Sequence, residues 1–371
     1  MPILIIVNEY PPETIRGTAV ATEALAKALA KKGWEVHVVV TCRKSARSED
    51  LAGKVRVYRL STLGLSYTRT LQRLFGIIRL ARRIRPDLVQ GQAASCGVFA
   101  LVVGYVCRIP SITYVQGGDF LESGPIRRFL EVRTAVRYAT RTIVVTDELA
   151  EHVRPYAAGR VEVIPHGFEP EELSPEVTEN TRRRLGTERP NLLCVGYLDV
   201  DKGVTFLLSA VAMLKAEWPR LRLHVVGDGE LREELESQTV REGTADNVTF
   251  YGGLPHSDVL SMMATVDLFV LPSLSAEPFG IVLVEALNEG CPVVATTICG
   301  AARIVQRSEG GLLVPPGDPK AIADAIAQLL RDPVRRRHMA QAAREGAEEL
   351  RWDRNVLRFE KLYRELCKGH R

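Results

Sequence analysis

Thirty residues, Val266 to Ala295, read in succession as strand, loop, helix and strand, and no other stretch limits the fold as much. Val266 to Leu271 is an apolar run bounded by Pro272. After a short loop, a helical pattern starts near Phe279 and closes at Asn288-Glu-Gly290, with Gly290 in the place of a C-terminal cap. Cys291 to Ala295 is a second apolar run, predicted to be the next buried parallel strand and the last one. A unit of this kind belongs in an open α/β sheet, where ligands bind at the carboxyl end of the strand, against the N-terminus of the helix.

The chemistry available there is specific. The backbone N–H groups of Phe279, Gly280, Ile281 and Val282 fall in a first helical turn, where donors have no partner within the helix. Gly280 has no side chain to obstruct them. Such donors, at the positive end of the helix dipole, suit an anion and above all a diphosphate. Glu277 on the loop and Glu285 in the second turn would repel that anion, so their task is to accept hydrogen bonds from hydroxyls beside it. A sugar on one side and a ribose on the other supply such hydroxyls. Alone, two glutamates at this spacing would more often describe the solvated face of an amphipathic helix.

The same alternation of strand and helix runs through the chain, whose 371 residues suit two domains with separate cores. Strands are predicted at Ile3–Val7, Val36–Thr41, Val55–Leu60, from Asp87, at Ile112–Val115, Ile143–Thr146 and Val161–Ile164. Helices are predicted at Thr18–Lys32, Leu71–Arg85 and Pro125–Arg141, with residues 91–97 as a loop of small residues. A second series follows, from Asn191–Val195 through Leu221–Val226 and Val248–Tyr251, and ends in helices up to Cys367. The expected boundaries are 1–168 and 169–352, with a last helix at 353–371. Seven cysteines form no C-x-x-C pair and no zinc spacing. The N-terminus lacks a secretory pattern, and the longest apolar run, Gly97 to Cys107, is shorter than the roughly 17–25 residues that span a bilayer. A cytoplasmic protein is expected.

Charge is divided unevenly. Residues 1–170 hold 24 Lys and Arg against 15 Asp and Glu, and the rest holds 25 against 30. A basic first half suggests an anionic surface or acceptor for it. Arg127, Arg128, Arg133, Arg137 and Arg141 lie on or beside the helix predicted at 125–141, which suits either an anionic membrane or an ordinary solvated face. Nothing in the pattern points to nucleic acid.

Glu277-Pro-Phe-Gly-Ile-Val-Leu-Val-Glu285-Ala, followed by Gly290-Cys-Pro-Val-Val-Ala295, resembles the signature of the retaining glycosyltransferases of family 4. The resemblance implies the GT-B architecture: an α/β chain of two Rossmann-like domains whose parallel sheets face a cleft, with the last helix, 353–371, crossing back to join the first domain. It implies a nucleoside-diphosphate sugar as donor, with Glu277 on the sugar and Glu285 on the ribose. Gly196-Tyr-Leu-Asp-Val-Asp-Lys202-Gly is similar to the family's G-R-L-x-x-x-K-G, whose Arg and Lys clamp the diphosphate; Lys202 is present and Tyr197 stands for the Arg. Arg16-Gly17 occupies the place of a Gly-Gly pair that approaches the phosphates. Gln116-Gly-Gly-Asp119 stands where the family usually shows His-Gly, so Gln116 would sit beside the reacting sugar without being able to shuttle a proton. Asp119 is a candidate acceptor-side base or an ordinary turn residue. Gly227, in Gly227-Asp-Gly-Glu230, and Leu254, in Gly252-Gly-Leu-Pro-His256, fall where backbone would meet the nucleotide. Pro165-His-Gly-Phe168 resembles the family's hinge turn, with His166 where Asn is common.

The function implied is retaining transfer of a sugar from a nucleotide sugar to a saccharide or lipid-linked acceptor, with the donor as substrate and no further cofactor. No metal is expected: Asp199-Val-Asp201 has the D-x-D spacing of a metal site, but acids are also common before a helix. A catalytically weak donor-binding subunit remains an alternative because the His and Arg are replaced. A Rossmann oxidoreductase is disfavoured because G-x-G-x-x-G is missing.

Overall fold

The computed structural model describes the chain apart from residues 13–16, 44–47, 52–53, 62–65, 118–131, 172, 187–189, 276–278, 301 and 370–371. It divides into two compact units, Met1–Glu169 with Leu350–Arg371, and Pro170–Glu349.

The first unit is built on an eight-stranded sheet in the order β3-β4-β2-β1-β5-β6-β7-β8. Its strands are β1 (Pro2–Val7), β2 (Glu35–Arg43), β3 (Ser48–Leu51), β4 (Val55–Ser61), β5 (Leu88–Gln92), β6 (Ser111–Val115), β7 (Arg141–Val144) and β8 (Val161–Val163). All pairings are parallel except that of β3 with β4. Ile3 to Val7 are buried on both faces, as unbroken apolar runs in parallel strands require. Helices α1 (Gly17–Lys31), α2 (Ser66–Ile84), α3 (Ala94–Cys107), α4 (Arg133–Tyr138) and α5 (Asp147–Val153) connect them.

Two expectations are corrected here. The stretch expected as a small-residue loop at 91–97 is helical from Ala94. Its small residues serve close packing: a Cβ on Gly97 would lie 2.6 Å from Thr113 of β6, and one on Gly104 2.9 Å from Ser111. This helix lacks a polar face, so periodicity does not reveal it. Of the helix expected at 125–141, the described part is α4 alone, and Arg141 opens β7, where it pairs with Ile112. Ala139 turns extended and ends the helix.

The C-terminal segment of this unit is α14 (Trp352–Lys368). Its Tyr363 hydroxyl donates to Gln90 Oε1 at 2.6 Å, and Trp34 Nε1 donates to its Glu360 at 2.8 Å. The turn Pro165–Phe168 fits against Trp352 so closely that a Cβ on Gly167 would be 2.5 Å from the indole. His166 is buried there, 3.2 Å from the Tyr114 hydroxyl.

The second unit has six parallel strands in the order β11-β10-β9-β12-β13-β14. They are β9 (Asn191–Val195), β10 (Arg222–Val226), β11 (Val248–Phe250), β12 (Leu268–Leu271), β13 (Val293–Thr296) and β14 (Gly311–Val314). Helices α6 (Pro175–Leu185), α7 (Val204–Leu214), α8 (Arg232–Arg241), α9 (His256–Met263), α10 (Ile281–Asn288), α11 (Ala302–Ser308), α12 (Pro319–Arg331) and α13 (Pro333–Glu348) join and flank them. The expectation that the strand at 291–295 is the last is corrected by β14, which pairs beyond it. Among the described residues, no helix is long and apolar enough to cross a membrane.

Candidate functional site

In the second sheet the strand order reverses between β9 and β12. The chain leaves these neighbours toward opposite sides, which opens a crevice at their carboxyl ends. The loop after β9 contains a tight turn, Val200–Lys202, capped by Asp199, whose carboxylate accepts from the Lys202 N–H at 3.0 Å. That bond gives Asp199 a structural role. Leu274, in the loop after β12, donates its N–H to the Asp201 carbonyl at 2.7 Å. Gly203 has φ +64°, and a Cβ there would sit 2.2 Å from the Pro272 carbonyl oxygen, so only glycine lets the two loops meet.

The loops after β10 and β11 close on the same edge. The Gly227 N–H donates to the Gly252 carbonyl at 2.8 Å, and Leu198 N–H donates to the Asp228 carbonyl at 3.0 Å. A Cβ on Gly227, whose φ is +129°, would fall 1.9 Å from the Gly196 carbonyl oxygen. The aliphatic stem of Lys202 lies over Gly196, its Cδ 3.7 Å from where a Cβ would be. Thus Gly196, Lys202 and Gly227 are brought to one edge, with half-buried Leu254 just beyond Gly252. Tyr197, which stands in the place of the Arg in the resembled motif, is largely exposed.

Helix α10 opens two residues later than the expected Phe279. Phe279 is buried ahead of it, and Gly280 caps it in the left-handed region with φ +77° and ψ +60°. The first bonds inside the helix run from Leu283 and Val284 N–H to the Gly280 carbonyl, at 3.0 and 3.4 Å. The amides of Ile281 and Val282 therefore have no partner within the helix. At the other end, Gly290 (φ +71°) donates to Leu287 O and Cys291 to Ala286 O, which is a Schellman cap.

Glu285 lies on this helix with a side chain 15% exposed, and its Oε1 is 3.0 Å from His256 Nε2. His256 Nδ1 is 3.2 Å from Glu171 Oε2. The bond to Glu285, then the charges of both glutamates, push the imidazole up to about 9, so it is a cation at neutral pH. Sequence reading placed His256 in a nucleotide-facing loop without a partner; an i-to-i+29 pairing leaves no periodic trace. Glu277 and Asp119 lie outside the described residues.

In the first unit, Gly17 opens α1 and Gln116 follows β6. Gln116 is 5% exposed and its Nε2 donates to Gln92 Oε1 at 2.6 Å. Gln92 ends β5 and was not singled out in the sequence, although a glutamine closing an apolar strand is the kind of signal that could have marked it. Beside it, Asn8 after β1 accepts from Thr41 at 2.8 Å and donates to Ser95 at 3.0 Å. The carboxyl edge of this sheet is thus polar and uncharged at these positions. Among the described residues, no group of three or more His, Cys, Asp or Glu side chains could hold a metal ion.

Comparison with solved structures identifies the fold as GT-B. The chain superposes on a sucrose-phosphate synthase from Thermosynechococcus elongatus with a TM-score of 0.83 at 24% identity, covering 99% of each chain. It superposes on HepE of Anabaena, solved in complex with UDP, with a TM-score of 0.82 at 23% identity, covering 99% of this chain and 100% of that one. Residues 15–172 match the family model described as Glycosyltransferase Family 4, and residues 177–346 the one described as Glycosyl transferases group 1. The protein belongs to this glycosyltransferase family. Relatives include an uncharacterised glycosyltransferase of Methanocaldococcus jannaschii, 26% identical over 95% of each chain. A D-inositol 3-phosphate glycosyltransferase of Corynebacterium urealyticum is 34% identical over 68% of this chain and 62% of its own length.

Proposed function

We propose that the second unit binds a nucleoside-diphosphate sugar at the carboxyl edge of β9 and β12, and that the protein transfers the sugar with retention of configuration. The observation that carries this reading is the joining of the Lys202 turn to the loop before α10, through Leu274 and Asp201 and the close fit of Gly203 on Pro272. It puts a cation and a helix N-terminus on the same edge, and both favour an anion. Support also comes from HepE, a structural neighbour solved with UDP and with UDP-glucose.

In this reading Lys202 and the amides of Gly280, Ile281 and Val282 stabilise the charge that develops on the departing diphosphate, with backbone at Gly17, Gly196, Gly227, Leu254 and Phe279 shaping the approach. Such preorganised charge is where most of the rate should come from. Glu277 holds sugar hydroxyls, and Glu285 a ribose hydroxyl. Gln116 is assigned to the transferred sugar and Asp119 to the acceptor. No carboxylate is assigned as a nucleophile, so the acceptor attacks from the face the diphosphate leaves. The acceptor is a saccharide, with a lipid-linked one favoured by the basic first half of the chain; Arg133 and Arg137 are exposed on α4. Incubation with UDP-, GDP- and ADP-sugars and a panel of soluble and lipid-linked saccharides tests the proposal. Acceptor-dependent release of nucleoside diphosphate, with the anomeric configuration kept, is expected. Inversion, or no turnover with any pair, contradicts it.

A further inference from the structure

Glu285 carries two carboxylate oxygens, and one of them is already engaged. His256, the first residue of α9, stands 3.0 Å from Oε1 and is held on its other side by Glu171 at 3.2 Å. An imidazolium in the first turn of a helix opposes the dipole of that helix. Only the facing carboxylates make it favourable. Among the described residues the charged groups around it are Asp258 in its own first turn, Glu171 on the segment before α6, Glu285 on α10 and Glu289, which caps the end of α10. Glu289 is itself under the influence of Arg344 from α13, whose Nη2 also donates to the Glu289 carbonyl at 2.9 Å.

We infer that His256 is a positioning residue of the nucleotide subsite: it pins one oxygen of Glu285 and so presents the other to a single ribose hydroxyl. The inference rests on the donor-binding reading above and adds to it the residue that orients the ribose acceptor. A carboxylate free to rotate would lose orientation and, with it, much of the benefit of a charged hydrogen bond. It also makes nucleotide affinity depend on the imidazolium. The clamp is strongest while His256 is protonated; as pH rises through about 9 the imidazole loses its charge but keeps one N–H, so the clamp weakens.

Titration calorimetry with UDP, GDP and ADP, and with the 2′-deoxy and 3′-deoxy forms of whichever binds most tightly, tests this. His256→Ala should weaken the ribonucleotide about tenfold and leave the sensitive deoxy form unaffected. His256→Gln, which keeps an amide donor, should fall between the two. Between pH 7.5 and 10 the wild-type advantage over His256→Ala should shrink toward that of His256→Gln, a comparison in which titration of the base cancels. If none of the three diphosphates binds the wild type, or the deoxy forms bind as well as the ribonucleotide, the donor-binding reading itself fails. If the wild type discriminates and folded His256→Ala and His256→Gln discriminate equally well, the role of His256 is overturned. A wild-type advantage over His256→Ala that is undiminished at pH 10 overturns it as well.

Discussion

The amide of Leu274 donates to the carbonyl of Asp201 across 2.7 Å, and this bond ties the turn bearing Lys202 to the loop that leads into α10. Residues 73 positions apart thereby share one sheet edge. The contact needs Gly203 beside it, since its positive φ and the Pro272 carbonyl together exclude a side chain.

Gly203→Ala should accordingly cost about 2 kcal/mol or more. The left-handed conformation alone accounts for about 1–2 kcal/mol, and the clash with Pro272 adds to it. The midpoint of thermal unfolding should fall by several degrees and nucleoside-diphosphate affinity should drop with it. An unchanged midpoint would show that the two loops need not touch.

Glu277→Gln tests the sugar-side carboxylate. It should keep nucleotide affinity and lower kcat by roughly 10²-fold or more, the size usual for an oriented charge at the reacting group. Equal kcat with a confirmed donor would remove Glu277 from the site.

His166 provides a pH test of the turn at Pro165–Phe168. Burial pushes its imidazole down to about 4, so the folded chain refuses a proton that the unfolded chain accepts below about pH 6.5. Stability should therefore fall as pH drops from 6.5 toward 4, by at most about 3 kcal/mol from this group. His166→Asn should flatten that slope in denaturant titrations. An identical slope would place the acid sensitivity elsewhere.

Among the described residues the membrane reading of the basic first half rests on α4, because Arg141 sits in β7 with Glu365 3.2 Å away; Arg127 and Arg128 lie outside the described residues. Reversal of Arg133 and Arg137 to Glu should reduce sedimentation with anionic liposomes at low salt and leave nucleotide affinity intact; each basic residue near such a surface is worth about 1 kcal/mol. Wild-type protein that ignores these liposomes makes a soluble acceptor the better assignment.

The central strand–loop–helix–strand unit was legible in sequence because its buried strands are continuous apolar runs and its helix ends on a glycine that must turn left-handed. Helix α3 was hidden for the opposite reason: it is apolar on every side, and its Gly97 reads as a loop residue until Thr113 is seen against it. Arg141 looked like the end of an amphipathic helix, whereas strand pairing with Ile112 decides its conformation. The positions of Gly196, Lys202 and Gly227 along one edge follow from the strand order, which spacing does not encode. The pairing of His256 with Glu285 depends on two helices meeting, and neither helix announces it.

The claim that the second unit holds a diphosphate at Lys202 is tested most directly by calorimetry of the Lys202→Ala variant with a nucleoside diphosphate and its parent nucleoside. The account predicts a loss of about 1.5–3 kcal/mol for the diphosphate, the size of a charged hydrogen bond, and almost none for the nucleoside. Equal losses for both, or no loss for either, would place Lys202 away from the phosphates and contradict it.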